Sequence, residues 1–468
     1  MCTEGTCTHS RLLPSLFVML KSGIMSGYVK EKHFHTPLSM AVPQTCLRYA
    51  TGASVKEKHF HTPLSIAVPQ TCLRYATGAR VKENIILKGC HLQILSLVLF
   101  VAVSQNGFLA CLRYAMGINM ENNSKTCGKQ SLLFANPPYI IAGSSITGKK
   151  EGEGPLGRYF DQVEEDPMFG GDTWEDAESR MMKRAADAVI QKAGIKKDDI
   201  RFMVGGDLLG QLIATSFGIM ELEIPLFGVY GACSTMGESL AIGSVLVDGG
   251  FADKIMAITS SHFAGAEKQF RFPLAYGSQR PLATTWTVTG SGAVILDKAD
   301  NRSKKELEKE APVCVMGATV GRIVDYGIKD SMNMGACMAP SAYKTISANL
   351  NDLGVKPEYY DKIITGDLGY VGKDILIDLL KQEGFDISKN HMDCGIEMFD
   401  KDTQDTHSGG SGCGCSAITL AGYVLPKLRR REWKRVLFVP TGALLSTVSF
   451  NEGNPVPGIA HAVIIEGM

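Results

Sequence analysis

The chain has 468 residues, enough for two or three domains and a large core. Lysine plus arginine and aspartate plus glutamate both number 48, so there is neither the basic field of a nucleic-acid binder nor the acidic excess of a disordered chain. The 13 cysteines form neither a disulfide framework nor paired CxxC metal motifs, and no run reaches the about 18 apolar residues that span a bilayer. Leu12 to Leu20 is a weak signal-like core broken by Pro14, and Ile94 to Val103 reads as a buried or interfacial element. The body therefore reads as a soluble chain made in a reducing compartment, with any membrane role peripheral.

Residues 1–119 differ in texture from the rest. Val29 to Ser54 recurs as Val55 to Arg80 with one internal change, Met40 against Ile66, and a third fragment returns at Cys111 to Gly117. Two and a fraction undiverged copies without an amphipathic period fit a recent duplication better than a repeat array. His33, His35, His59 and His61 offer four imidazoles at HxH spacing, but they are copied with everything around them. The expectation is that 1–119 is a non-native or disordered extension and that Met120 is the functional start.

From Met120 the pattern is α/β. An acidic loop, Asp161 to Asp172, precedes a predicted helix over Trp174 to Ala193, with acids in its first turn, Lys192 in its last and Gly194 as its stop. A strand at Ile200 to Val204 ends in Gly205-Gly206-Asp207-Leu208. A second, Ile224 to Tyr230, runs into Gly231-Ala232-Cys233-Ser234 and a helix of small and aliphatic residues. Lys254 to Thr259 is a third strand, ending at Ser260-Ser261-His262. Glu267 to Pro281 reads as a polar loop, Trp286 to Leu296 as a hairpin and Asp297 to Glu310 as a charged linker.

The second half repeats the first in outline. Ile363 to Leu368 matches Met203 to Leu208, each an apolar strand ending in Gly-Asp-Leu. Gly414-Cys415-Ser416 before a helix over Ala417 to Leu428 matches Ala232-Cys233-Ser234. Cys233 to Thr259 and Cys415 to Thr441 both span 26 residues, and Ala460 to Ile465 echoes Ser291 to Leu296. Markers recurring in one order indicate two copies of a βα unit, over 120–310 and 311–468.

Equivalent loops of two related halves meet at their join, and ligands of α/β folds sit beyond strand carboxyl ends. Asp207, Cys233, His262, Asp367 and the Gly409 to Cys415 turn all occupy such ends. Cys233 is the leading candidate: unpaired N–H groups at a helix start lower a thiol's pKa. Asp207 and Asp367 read equally as helix N-caps, and His262 as a partner for a loop carbonyl. Lys268, Arg271 and Arg280 fit carboxylate recognition, although solvated loop charges are commoner.

Duplicated halves with a cysteine at the first strand-to-helix turn resemble the thiolase and ketoacyl-synthase superfamily. Within it the chain resembles the stage V sporulation protein AD family, through GDLL (Gly206 to Leu209), YGACST (Tyr230 to Thr235), LVDGGFA (Leu246 to Ala252), TSSH (Thr259 to His262), TVTGSGAV (Thr287 to Val294), TGDL (Thr365 to Leu368), GGSGCGCSA (Gly409 to Ala417) and TGALLS (Thr441 to Ser446). The resemblance covers Met120 onward and implies a thiolase-like, five-layer αβαβα fold with two pseudo-twofold-related halves. It also implies a protein that binds dipicolinate (pyridine-2,6-dicarboxylate), free or with Ca2+, and works with membrane SpoVA subunits in uptake during sporulation and release at germination. Such a protein needs no cofactor of its own, lies peripherally at the inner spore membrane and forms a homodimer, as superfamily members commonly do.

Superfamily enzymes draw an imidazole and a second His or Asn from the second half. Here Asp367 holds the first place, and Ser411 or Cys413 the second. A carboxylate beside a cysteine raises the thiol pKa and repels an enolate. The expected ligand-binding set is Cys233, Asp207, His262, Asp367, Ser411 and Cys413, with no metal site. The alternatives are a residual acyltransferase using Cys233 and a structural subunit with a vestigial cleft.

Overall fold

The computed structural model describes residues 125–271 and 280–468; the extension expected over 1–119, its repeats and its histidines lie outside the described residues. Five strands carry the first half: β1 (Tyr139–Gly148), β2 (Phe202–Gly206), β3 (Leu226–Gly228), β4 (Lys254–Ser261) and β5 (Gly290–Asp297). Five more carry the second: β6 (Val313–Thr319), β7 (Lys362–Thr365), β8 (His391–Asp393), β9 (Arg435–Val439) and β10 (Ala462–Gly467). The spatial orders are β1-β5-β4-β2-β3 and β6-β10-β9-β7-β8, the same permutation twice. In each set the first strand pairs antiparallel with the fifth, the fifth antiparallel with the fourth, and the fourth, second and third run parallel. The sets join where Tyr139 pairs with Cys314.

The helices repeat as well. α1 (Trp174–Ala193) and α5 (Met334–Leu353) are both 20 residues long. Thr173 caps the first and Asn333 the second, each accepting from the N–H three residues on, and Gly194 and Gly354 end them at φ 64° and 65°. Such left-handed stops favour glycine because a Cβ would be strained there. Between them lie α2 (Ile213–Ile219), α3 (Thr235–Asp248) and α4 (Phe263–Phe270). After α5 come α6 (Gly369–Gln382) and α7 (Cys413–Thr419), the latter passing through a π turn at Leu420–Val424 into α8 (Leu425–Arg429).

Alternation along the strands assigns the layers. Val204, Ala257, Phe438 and Ile465 face a central core shared with Met236 and Leu240 of α3 and Ala417 and Ile418 of α7. Their neighbours Met203, Met256 and Ile258 pack on Met181, Met182 and Val189 of α1. Leu437 and Ile464 pack on Met338 and Ile346 of α5 and Leu376 and Leu380 of α6. Each fully buried side chain of this size contributes about 1.5–3 kcal/mol. Strands apolar on both faces and central helices buried on most sides thus produce helix, sheet, helix, sheet and helix, the five-layer arrangement implied by the thiolase resemblance.

Several local expectations change. The predicted strand over Ile224 to Tyr230 shrinks to β3, an edge strand that leaves Leu226 38% and Phe227 45% exposed. Trp286 to Leu296 is no hairpin: Trp286–Thr287 pairs with Gly410–Ser411, and only β5 enters the large sheet. The start of the predicted polar loop is helical, because Phe263, Ala266 and Phe270 recur at helical spacing. The charged linker contains a short helix, Lys304–Lys309, held by a Ser303–Glu306 capping box. Among the described residues, no helix is long and apolar enough to cross a membrane.

Candidate functional site

The site lies where the Cys233 turn of the first half meets the β7 end and the Gly412 turn of the second. Gly231 leads into a 3-10 turn, Ala232–Ser234, which continues into α3. Ala232 is held at φ 48°, a conformation costing about 1–3 kcal/mol for a residue with a side chain. Gly442 packs against this turn so closely that a Cβ would lie 2.2 Å from the Gly231 carbonyl oxygen. The turn is therefore fixed from both halves, with Cys233 6% exposed at the floor of a cleft.

Leu208, Tyr230, Ala266, Phe270, Met334 and Leu445 supply the apolar walls, and Glu267, Arg271, Thr287 and Ser411 the polar ones. The cleft encloses about 410 Å³ of atom-free space, part of it open to solvent.

Asp367 stands beside Cys233. Its carboxylate accepts from Gly412 N at 2.9 Å and Thr441 Oγ1 at 2.7 Å, and it acts electrostatically on the Cys233 thiol. Burial pushes Asp367 up to about 7, the hydrogen bonds only partly opposing it. Burial, then the charges of Asp367 and Cys413, raise the Cys233 thiol well above its ordinary value. The helix-start effect that favours a thiolate is thus outweighed, and the Cys233 thiol stays neutral. Among the described residues no imidazole lines the cleft, and no three His, Cys, Asp or Glu side chains converge as a metal site.

The remaining sequence candidates are placed differently. Ser411 lines the cleft. Cys413 lies fully buried behind it, packed with Leu208, Cys233 and Ala266, its thiol donating to Ser260 O at 2.9 Å. Asp207 is absent from the lining. Its carboxylate accepts from Leu209 N (2.8 Å), Thr215 N (2.7 Å) and Thr215 Oγ1 (2.5 Å), so it staples its own loop to α2. His262 is likewise absent. Its Nδ1 accepts from Ala264 N at 3.2 Å, capping α4, and its Nε2 donates to Pro167 O at 2.8 Å. Its ring packs on Trp174, and burial lowers its pKa, keeping it neutral.

Two charged residues join the site instead. Arg271, at the C-terminal end of α4, has a side chain 10% exposed and pairs with Glu267, 5% exposed, at 2.8 Å. The Arg271 guanidinium also donates to Thr285 O at 3.3 Å. The sequence offers Arg271 for carboxylate recognition but not Glu267; the apolar spacing of Phe263, Ala266 and Phe270 is the signal that turns the pair inward.

The family model for Stage V sporulation protein AD (SpoVAD) matches residues 128–466. The chain is 40% identical over 342 residues to Stage V sporulation protein AD of Bacillus subtilis (strain 168), covering 73% of this chain and 98% of that protein. Among solved structures, 3-oxoacyl-[acyl-carrier-protein] synthase III from Aquifex aeolicus VF5 matches with a TM-score of 0.43 at 14% identity, over 70% of this chain and 99% of the other. A variant of OleA from Xanthomonas campestris matches with a TM-score of 0.45 at 15% identity, over 71% and 97%. On the family match and the identity to its curated relative, the chain belongs to the stage V sporulation protein AD family.

Proposed function

We propose that the chain acts in sporulation as a non-catalytic subunit that binds dipicolinate, free or as its calcium complex, and hands it to and from membrane SpoVA proteins. The observation that carries this reading is a cleft lined by both Cys233 and the Arg271 cation, in which burial and the neighbouring Asp367 carboxylate raise the Cys233 thiol. Acyl transfer needs a thiolate, a base and a hole for the developing oxyanion. Here the thiol is held neutral by burial and a carboxylate. A cleft with aromatic walls from Tyr230 and Phe270 and a guanidinium in its lining suits a flat carboxylic acid better.

In this reading the chain sits peripherally at the inner spore membrane through its partners. A second copy would pair along the exposed edge of β3, where Leu226 and Phe227 are uncovered. Calorimetry on the full chain tests the binding, with dipicolinate alone and with equimolar calcium. Saturable heat with either form is expected; absence of heat with both would refute it.

Residual acyltransferase activity is the second reading, favoured by the strained Ala232 turn that presents Cys233. Incubation with acyl-CoA thioesters followed by intact mass separates the two. The binding reading expects no acyl adduct, whereas one at Cys233 that turns over would establish the enzyme.

A further inference from the structure

We propose that Arg271 is the residue that recognises a carboxylate of the ligand, and that Glu267 is its internal competitor and sets how tightly that carboxylate is held. This rests on the binding reading above.

The pair has a plain structural alternative, since Glu267 and Arg271 lie four apart on α4 and Arg271 caps its end, where a cation suits the helix dipole. Such a pair needs only a solvated surface. Here both side chains are at least nine-tenths buried on the cleft wall, where desolvation offsets much of the Coulombic gain. Stability of α4 alone does not account for that burial.

The two terminal nitrogens of Arg271, a residue of the cleft lining, are unequally occupied. Arg271 Nη1 is occupied by Glu267 Oε1 and Thr285 O, which fixes the plane of the guanidinium. Among the described residues Nη2 meets only Met334 Sδ, at 4.0 Å, a weak acceptor, and no oxygen. A planar guanidinium with one nitrogen anchored and one without an oxygen is preorganised for a carboxylate.

Glu267 is the same chemical group as the ligand's carboxylate and already holds one side of the cation. Burial raises its pKa, with Arg271 and Arg280 opposing. The charged or titratable groups acting on Arg271 are Glu267, Arg280 and Cys233. Removing the negative charge of Glu267 leaves the full cation to the ligand.

The test is calorimetry on the full chain with dipicolinate, and in parallel with the monocarboxylate pyridine-2-carboxylate. Arg271→Met is expected to weaken dipicolinate at least a hundredfold, Arg271→Lys to restore part of that loss, and Glu267→Gln to tighten binding several-fold. Both ligands are expected to weaken together on Arg271→Met. Wild-type affinity in a folded Arg271→Met chain overturns the inference and leaves the binding reading standing. If that variant fails to fold, Glu267→Gln decides, and unchanged or weaker affinity overturns the inference. No heat from the wild-type chain overturns both.

Discussion

At the residue scale the decisive contact is between Cys233 and Asp367. A thiol beside a helix start gains from nearby N–H groups, but burial and a neighbouring carboxylate act the other way and prevail. Alkylation of Cys233 by iodoacetamide at pH 8, read by peptide mass, is accordingly expected to be slow. Asp367→Asn removes the charge and should speed it, about tenfold for each unit by which the thiol pKa falls. An unchanged rate in that variant would show that Asp367 does not hold the thiol down. Cys233, Asp367 and Ser411 are legible in the sequence because each follows a strand or opens a turn at the join. Asp207 and His262 share that position, yet their side chains turn back onto Thr215 and Pro167, a choice of rotamer that strand ends alone do not reveal. Arg271 is legible only as one of three cations fit for carboxylate recognition, and recognising the helix that carries it is what separates it from solvated loop charges.

At the element scale the doubled topology is what places these residues opposite one another. The Gly-Asp-Leu strand ends and paired Cys-Ser turns disclose the duplication in the sequence. The strand pairings do not follow from those markers, because hydrogen-bond partners such as Trp286–Thr287 with Gly410–Ser411 lie more than a hundred residues apart. The Gly412 turn is the element most exposed to a backbone test. It sits at φ 103°, donates its N–H to Asp367, and would bring a Cβ within 2.6 Å of Ser261 Oγ. Gly412→Ala is expected to destabilise the fold by about 1–3 kcal/mol in urea unfolding and to weaken ligand binding together with it. A variant with unchanged stability would mean that the turn is not constrained as described.

At the scale of the whole molecule, buried carboxyls give the fold an acid-side optimum. Burial holds Asp367 and Glu151 at about 7, above their ordinary 3.8 and 4.5. Between those ordinary values and about 7 the folded chain holds more protons than the unfolded one, so stability falls as pH rises through that window and levels off above it. Surface carboxyls such as Glu164 and Asp166 are lowered instead, so their contribution is lost only under more acidic conditions. Below about pH 6.5 the buried His391 and His461, lowered to about 3 and 4, oppose the carboxyls, so melting temperatures are expected to decline from about pH 6.5 to pH 8, less steeply in Asp367→Asn; a rise over that range would contradict these assignments. On the proposed reading Asp367 also bears on binding, because a dianion enters the cleft behind which it lies more readily when that carboxyl is protonated. Dipicolinate affinity should therefore weaken as pH rises through about 7.

The central claim is that the Cys233 cleft is a place of binding in which nucleophilic chemistry has been given up. A crystal structure of the full chain soaked with dipicolinate tests it most directly. The account predicts an intact planar ligand in the cleft, one carboxylate on Arg271 and the ring against Tyr230 or Phe270, with no covalent density at Cys233 Sγ. Ligand bound elsewhere with this cleft empty, or a covalent bond to Cys233, would contradict it.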